Sequence, residues 1–193
     1  MKKRLTYFLV LTALIVLAAG CGKKDESSGK HHVEITVKDY GKISVELDGD
    51  AAPITVENFL KLAGEGFYDG LTFHRIINGF MMQGGDPNGD GTGGSDENIK
   101  GEFTQNGVEN SLSHTRGAIS MARSQVMDSA SSQFFIVHQD STFLDGQYAC
   151  FGYVTEGMDV VDAVCTAEYT FVDGNNTIAK EDQPVIESIR VID

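Results

Sequence analysis

The sequence predicts a mainly β domain, a closed eight-stranded antiparallel barrel capped by two α-helices. Three observations carry that prediction: residues 33–193 contain eight runs of strand length, only two stretches have helical periodicity, and the two kinds do not alternate as a parallel α/β layout requires. No internal repeat of the kind that marks propellers or solenoids is present.

Residues 33–38 and 43–47 alternate apolar with polar side chains around the turn-forming stretch Asp39-Tyr40-Gly41-Lys42, which makes an opening hairpin. After Pro53, Val56, Phe59, Leu60 and Ala63 fall at helical spacing, so a helix is expected to end near Gly64. Further strands are expected at 71–77, 80–83, 118–122, 133–137, 148–154 and 185–192, and residues 157–165 make the second helix.

The chain has 193 residues, 41% hydrophobic and 22% charged, which suits one globular domain with appendages. Fifteen Lys and Arg stand against 28 Asp and Glu, a formal charge of −13. That balance excludes nucleic acid as the natural partner, because neutralising phosphates needs clustered cations.

Residues 1–20 read as an export signal: Lys2, Lys3 and Arg4 precede an apolar run too short to span a bilayer, followed by small residues. Leu17-Ala18-Ala19-Gly20-Cys21 resembles the bacterial lipoprotein box, with Ala18 where a large aliphatic residue is usual. The resemblance implies lipidation of Cys21 and a place on the extracytoplasmic face of a bacterial membrane. Acyl chains contribute about 0.8 kcal/mol per buried methylene, enough in combination for lasting attachment. Loss of residues 1–20 removes three positive charges and no negative one, taking the formal charge from −13 to −16. Residues 21–32 then form a flexible linker, since Gly22 to His32 contains no apolar residue to bury, and the folded domain is expected to run from 33 to 193.

Two cysteines, Cys150 and Cys165, remain once Cys21 is committed to lipid, and both are expected to be buried free thiols. No C-x-x-C spacing supports thiol redox chemistry or structural zinc. Asp86, Asn88, Asp90, Gly91 and Glu97 fit the calcium-loop pattern D-x-[DN]-x-[DN]-G-x₅-E, but neither flank reads as a helix and Gly93 stands where an apolar residue normally packs. A polar glycine loop is expected there, with calcium-dependent surface binding as a minor alternative function. Gly89, Gly91 and Gly94 fit a dinucleotide fingerprint without its strand-turn-helix setting, and Asp86, Asp90 and Asp96 would repel a pyrophosphate. His74, His114 and His138 belong to no hydrolase motif and are expected to be structural.

The informative cluster is FHRIINGFMMQGGD at 73–86, then SMAR at 120–123, SQFFI at 132–136 and FLDG at 143–146. At these residues the chain resembles the cyclophilin family of peptidyl-prolyl cis/trans isomerases, in the same order from about residue 33 to the end. The resemblance implies an eight-stranded antiparallel barrel with two helices and isomerisation of Xaa-Pro bonds, here in exported proteins whose folding it assists. It implies Arg75 as the catalytic group. Substrate contacts fall to Phe80, Met81, Gln83, Ala122, Arg123, Gln133, Phe135, Phe143, Leu144 and Tyr148. No metal and no cofactor is expected, because rotation about an imide bond needs neither. The expected partners are proline-containing polypeptides and the membrane through Cys21, and the chain is expected to act as a monomer.

Strand alternation puts Arg75 on the face opposite His74 and Ile76, and sends Phe134 and Ile136 to the core. The chain departs from the eukaryotic pattern at four places. Phe143 replaces the tryptophan of drug-sensitive members, Tyr148 a histidine, Arg123 an asparagine that helps hold the peptide backbone, and Asn78 a proline. These changes bear on inhibitor sensitivity and peptide preference more than on turnover. The alternative from another class is a binding module that holds proline segments without turning them over, for which a fixed cation is dispensable.

Overall fold

A computed structural model describes residues 28–193. The expectations for residues 1–20, for Cys21 and for most of the linker lie outside the described residues. Eight strands form one antiparallel sheet: β1 (Lys30–Val37), β2 (Gly41–Asp48), β3 (Phe73–Ile77), β4 (Met81–Gly84), β5 (Ala118–Met121), β6 (Phe134–Val137), β7 (Cys150–Glu156) and β8 (Ile186–Val191). Two helices, α1 (Pro53–Gly64) and α2 (Met158–Thr166), complete the fold.

The expected closed barrel is corrected to an open half-barrel. The strand order is β3-β4-β6-β5-β7-β2-β1-β8, which leaves β3 and β8 as edges. The edges approach only at their entrances, through the Thr72–Val185 bridge and backbone bonds such as Phe73 N to Pro184 O. Alternating apolar residues reveal how many strands exist, whereas closure depends on whether two distant ones share a ladder, and that pattern is silent in the sequence.

A second correction concerns the N-terminal boundary, since β1 starts at Lys30 rather than Val33. Lys30, His31 and His32 pair with Asp48, Leu47 and Glu46. Asp193 holds this polar start in place, accepting the His32 backbone N–H at 2.8 Å and lying 3.1 Å from His31 Nδ1. Three polar residues carry no apolar period, so the contact that orders them, made by the last residue of the chain, could not be foreseen.

Helix α1 buries Val56, Phe59, Leu62 and Ala63, packing on β8 and β2. Its first amides have no side-chain cap of their own. Buried Glu102 takes that role from a distant loop, accepting the N–H of Ile54 at 3.1 Å and of Thr55 at 2.8 Å. Helix α2 buries Val160, Val161, Val164 and Cys165. Gly157 opens it at φ 88, and a Cβ there would collide with the Lys42 carbonyl, so glycine is required on both counts.

Strand β6 decides where the two apolar regions lie. Phe134 and Ile136 face the main core, where Phe134 meets Phe59 edge-on at 5.4 Å and Tyr68 at 5.6 Å. Phe135 and Val137 alternate to the other face and join Met81, Leu144 and Cys150 in a second cluster. Cys150 and Cys165 are buried free thiols, and burial pushes each up to about 12, so neither is a thiolate at neutral pH.

Candidate active site

The second apolar cluster floors a cleft of about 240 Å³ lined by Arg75, Phe80, Met81, Gln83, Ala122, Arg123, Phe135, Leu144 and Tyr148. Strand β3 supplies Arg75, β4 Met81 and Gln83, β6 Phe135, and the turn before Asp145 Leu144, while Phe80, Ala122, Arg123 and Tyr148 sit on the connecting segments. Phe135 packs edge-on against Tyr148 with ring centres 5.9 Å apart.

Arg75 stands opposite Gln83 across the β3–β4 ladder. As alternation predicts, its neighbours His74 and Ile76 are buried while Arg75 is half-exposed. Its Nε donates to the Asn175 carbonyl at 2.8 Å and its Nη1 to Gln83 Oε1 at 3.3 Å. Gln83 Nε2 donates in turn to Gln133 Oε1 at 2.8 Å, and Gln133 Nε2 to the Gly93 carbonyl at 2.7 Å. A guanidinium has five N–H donors, so two fix the plane and the others remain for a guest. Burial pulls the basicity of Arg75 down, opposed by Tyr148 and Asp173; an arginine keeps its charge through such a change.

Two predicted site residues stand outside this lining. Gln133 lies one hydrogen bond away and orients Gln83. Phe143, 66% exposed, rests on Phe80 at 5.7 Å as a rim rather than a wall. The calcium-pattern loop also finds a place here. Asp86 is buried and accepts the N–H groups of Asn88, Asp90 and Gly91, at 2.8, 3.1 and 2.6 Å, while Glu97 sits at the surface 4.0 Å from Lys61. Its carboxylates therefore do not share a centre, and the loop offers the Gly91 and Gly93 carbonyls to Gln133. Among the described residues no group of three or more His, Cys, Asp or Glu is arranged to hold a metal ion, and no helix is long and apolar enough to cross a membrane.

Sequence reasoning missed three supports. Asn175 contributes a backbone carbonyl, which no side-chain motif reports. Phe103 stacks on Arg123 from a loop, with Cζ 4.9 Å from the ring centre and 4.8 Å from that of Tyr148 on the other side. His114 lies 2.8 Å from Asp145 and 2.9 Å from Ser120 Oγ, the order of a hydrolytic triad. Ser120 is fully buried, so no substrate reaches it. The network instead backs the cleft, because the His114 ring stacks on Phe135 at 6.0 Å with planes 17° apart. Burial lowers the His114 pKa and Asp145 opposes that.

A small niche walled by Phe80, Met81, Phe135, Leu144 and Tyr148 beside a fixed, permanently charged fork can hold a small apolar ring and present N–H donors to the bond next to it. The comparisons agree. Residues 32–191 match the model of the cyclophilin type peptidyl-prolyl cis-trans isomerase family, and the chain belongs to that family. It is 52% identical over 123 residues to peptidyl-prolyl cis-trans isomerase B of Bacillus subtilis, covering 64% of this chain and 82% of that protein. To the peptidyl-prolyl cis-trans isomerase of Helicobacter pylori it is 43% identical over 143 residues, covering 73% and 85%. A Cryptosporidium parvum cyclophilin type isomerase, solved in the presence of the dipeptide Ala-Pro, superposes with a TM-score of 0.74 at 30% identity, covering 84% of this chain and 99% of that one. The chain is accordingly a cyclophilin-type peptidyl-prolyl cis-trans isomerase.

Proposed function

We propose that this isomerase works as a monomer at the extracytoplasmic face of a bacterial membrane, tethered through lipid on Cys21, and speeds the folding of exported proteins at their Xaa-Pro bonds. The address is supported by the signal-like residues 1–20 and the box ending at Cys21. The chemistry is supported most by one observation, the Arg75 fork held by Gln83 and Asn175 beside the Phe135–Leu144 niche.

Rotation about a prolyl bond breaks amide resonance, at a barrier of roughly 18–20 kcal/mol. In the twisted state the imide nitrogen regains its lone pair and becomes a better acceptor. The niche holds the proline ring while a spare N–H of Arg75 donates to that nitrogen, an interaction stronger at the barrier than in either ground state. Taking exchange from tens of seconds to milliseconds, about 10⁴-fold, needs roughly 5.5 kcal/mol of such differential stabilisation.

Exchange of an Ala-Pro peptide, followed by NMR with catalytic amounts of protein, is expected to accelerate. Affinity for the peptide with no acceleration would instead mark a binding module. In a bacterial host, Cys21→Ser is expected to move the protein from the membrane fraction to the soluble one, and an unchanged distribution would contradict the anchor.

A further inference from the structure

We propose that the cleft prefers proline segments carrying one acidic side chain close to the proline, and that Arg123 selects it. This inference rests on the isomerase reading and adds a substrate class to the same site. Of the four arginines among the described residues, Arg116 is ion-paired with Asp162 and Arg190 with Asp69. The other two, Arg75 and Arg123, both line the cleft, and both are held by neutral oxygens instead. A carbonyl orients a guanidinium without neutralising it. In a chain with 28 acidic residues, both cleft arginines thus keep a charge that a guest can neutralise.

Arg123 is also held ready. Nε and Nη2 donate to the Gln147 carbonyl at 2.9 and 2.8 Å, Nη1 donates to the Ser124 carbonyl at 2.8 Å, and the rings of Phe103 and Tyr148 clamp the group. A fork fixed in advance loses little freedom when it meets a carboxylate. Beside it opens a second cavity of about 220 Å³ that shares Gln83, Ala122 and Arg123 with the proline pocket. Thr92, Ser124, Ser129 and Ser131 line it, and among the described residues no carboxylate does. Among the described residues none of the nearby acids makes an ion pair with either arginine: Asp90 accepts from Thr92 at the cavity edge, Asp128 from Gly101 and Asn106, and Asp173, whose charge acts on Arg75 from a distance, from Asn175 and Thr177.

The Thr92, Ser124 and Ser129 hydroxyls already donate to Asp90, Ser129 and the Val126 carbonyl, so the group the cavity holds ready for a guest is the Arg123 guanidinium, whose remaining N–H groups a carboxylate can meet and an apolar side chain would leave unpaired. The net negative charge of the whole chain disfavours a long acidic run approaching from a distance, so the preference is for a single carboxylate docked at short range.

The test uses the full chain in mild detergent and peptide pairs that differ only by Glu or Gln, placed singly at each of two positions before and after an Ala-Pro bond. Both kcat/KM for exchange and Kd are measured. The expected result is a Glu preference of about fivefold on one side of the proline, as for a half-exposed ion pair. It should vanish in about 1 M salt, where the screening length is about 3 Å. Arg123→Gln is expected to abolish the Glu-to-Gln ratio and Arg123→Lys to keep part of it. A ratio under about twofold at every position, or one that survives in Arg123→Gln, overturns the proposal even when exchange is accelerated. A fivefold ratio in Kd with no acceleration of any peptide supports the acidic preference and overturns the isomerase reading.

Discussion

Arg75 is restrained more than a surface arginine needs to be. Gln83 ties it to Gln133, and Gln133 to the loop carbonyls of Gly91 and Gly93, so the plane of its fork depends on side chains that need not touch the reacting bond. Gln83→Leu keeps the volume and removes the tie. Its expected effect is a fall in kcat of about tenfold or more, because small misplacements of a catalytic donor are costly. Peptide exchange measured at saturating and subsaturating substrate checks this, and an unchanged kcat with a raised KM would assign Gln83 to binding alone. Most of these residues are legible in the sequence, because period two sends Arg75 outward and Phe134 inward once the strand is recognised. Asn175 and Phe103 are not legible. One acts through its backbone oxygen, the other reaches Arg123 from a loop some twenty residues away, and neither position has a composition that announces the contact.

The elements owe their placement to close backbone approaches as much as to apolar periodicity. Gly152 lies in β7 where it passes β2, and a Cβ there would run into the Glu46 carbonyl and come within 2.9 Å of Leu47 Cα. Gly152→Ala is expected to cost roughly 1–3 kcal/mol through forced separation of the two strands. That is a fall in melting temperature of several degrees for a domain of this size, at about 2–4 °C per kcal/mol. Gly64→Ala, at the end of α1 with open space around it, is the control and should be neutral or slightly stabilising. Equal effects of the two would show that helix and strand propensity, and not the approach, is at issue. Both helices and all eight strands were foreseeable from patterning, within a few residues at their ends. Openness of the sheet was not, because β3 and β8 carry the same alternation whether or not they pair. The first three residues of β1 were hidden for a different reason, since their order depends on Asp193 at the far end of the chain.

At the scale of the molecule, pH acts on stability through buried imidazoles before it reaches the carboxylates. Burial pulls the pKa of both His74 and His114 below the ordinary 6.5, opposed by Asp86 and Asp145 respectively. Folding therefore favours the neutral rings. Their contribution is fully present above pH 6.5 and is lost as pH falls below that value toward the depressed folded pKa, because the unfolded chain binds the proton first. Aspartates such as Asp69, which Arg190 holds below 3.8, lose their contribution only at still lower pH. The melting temperature is thus expected to drop as pH falls below about 6.5. His74, whose ring nitrogens have no hydrogen-bond partner among the described residues, can be replaced with little loss, so His74→Leu should flatten part of that drop. A melting temperature level across this range would contradict the assignment. The role of Arg75 in catalysis is tested most directly by NMR exchange of an Ala-Pro peptide with the wild type, Arg75→Ala and Arg75→Lys. The expected result is fast exchange with the wild type, a loss of about 10²–10³ in Arg75→Ala as for removal of a transition-state donor, and only partial recovery with lysine. Exchange as fast in Arg75→Ala as in the wild type would contradict the account.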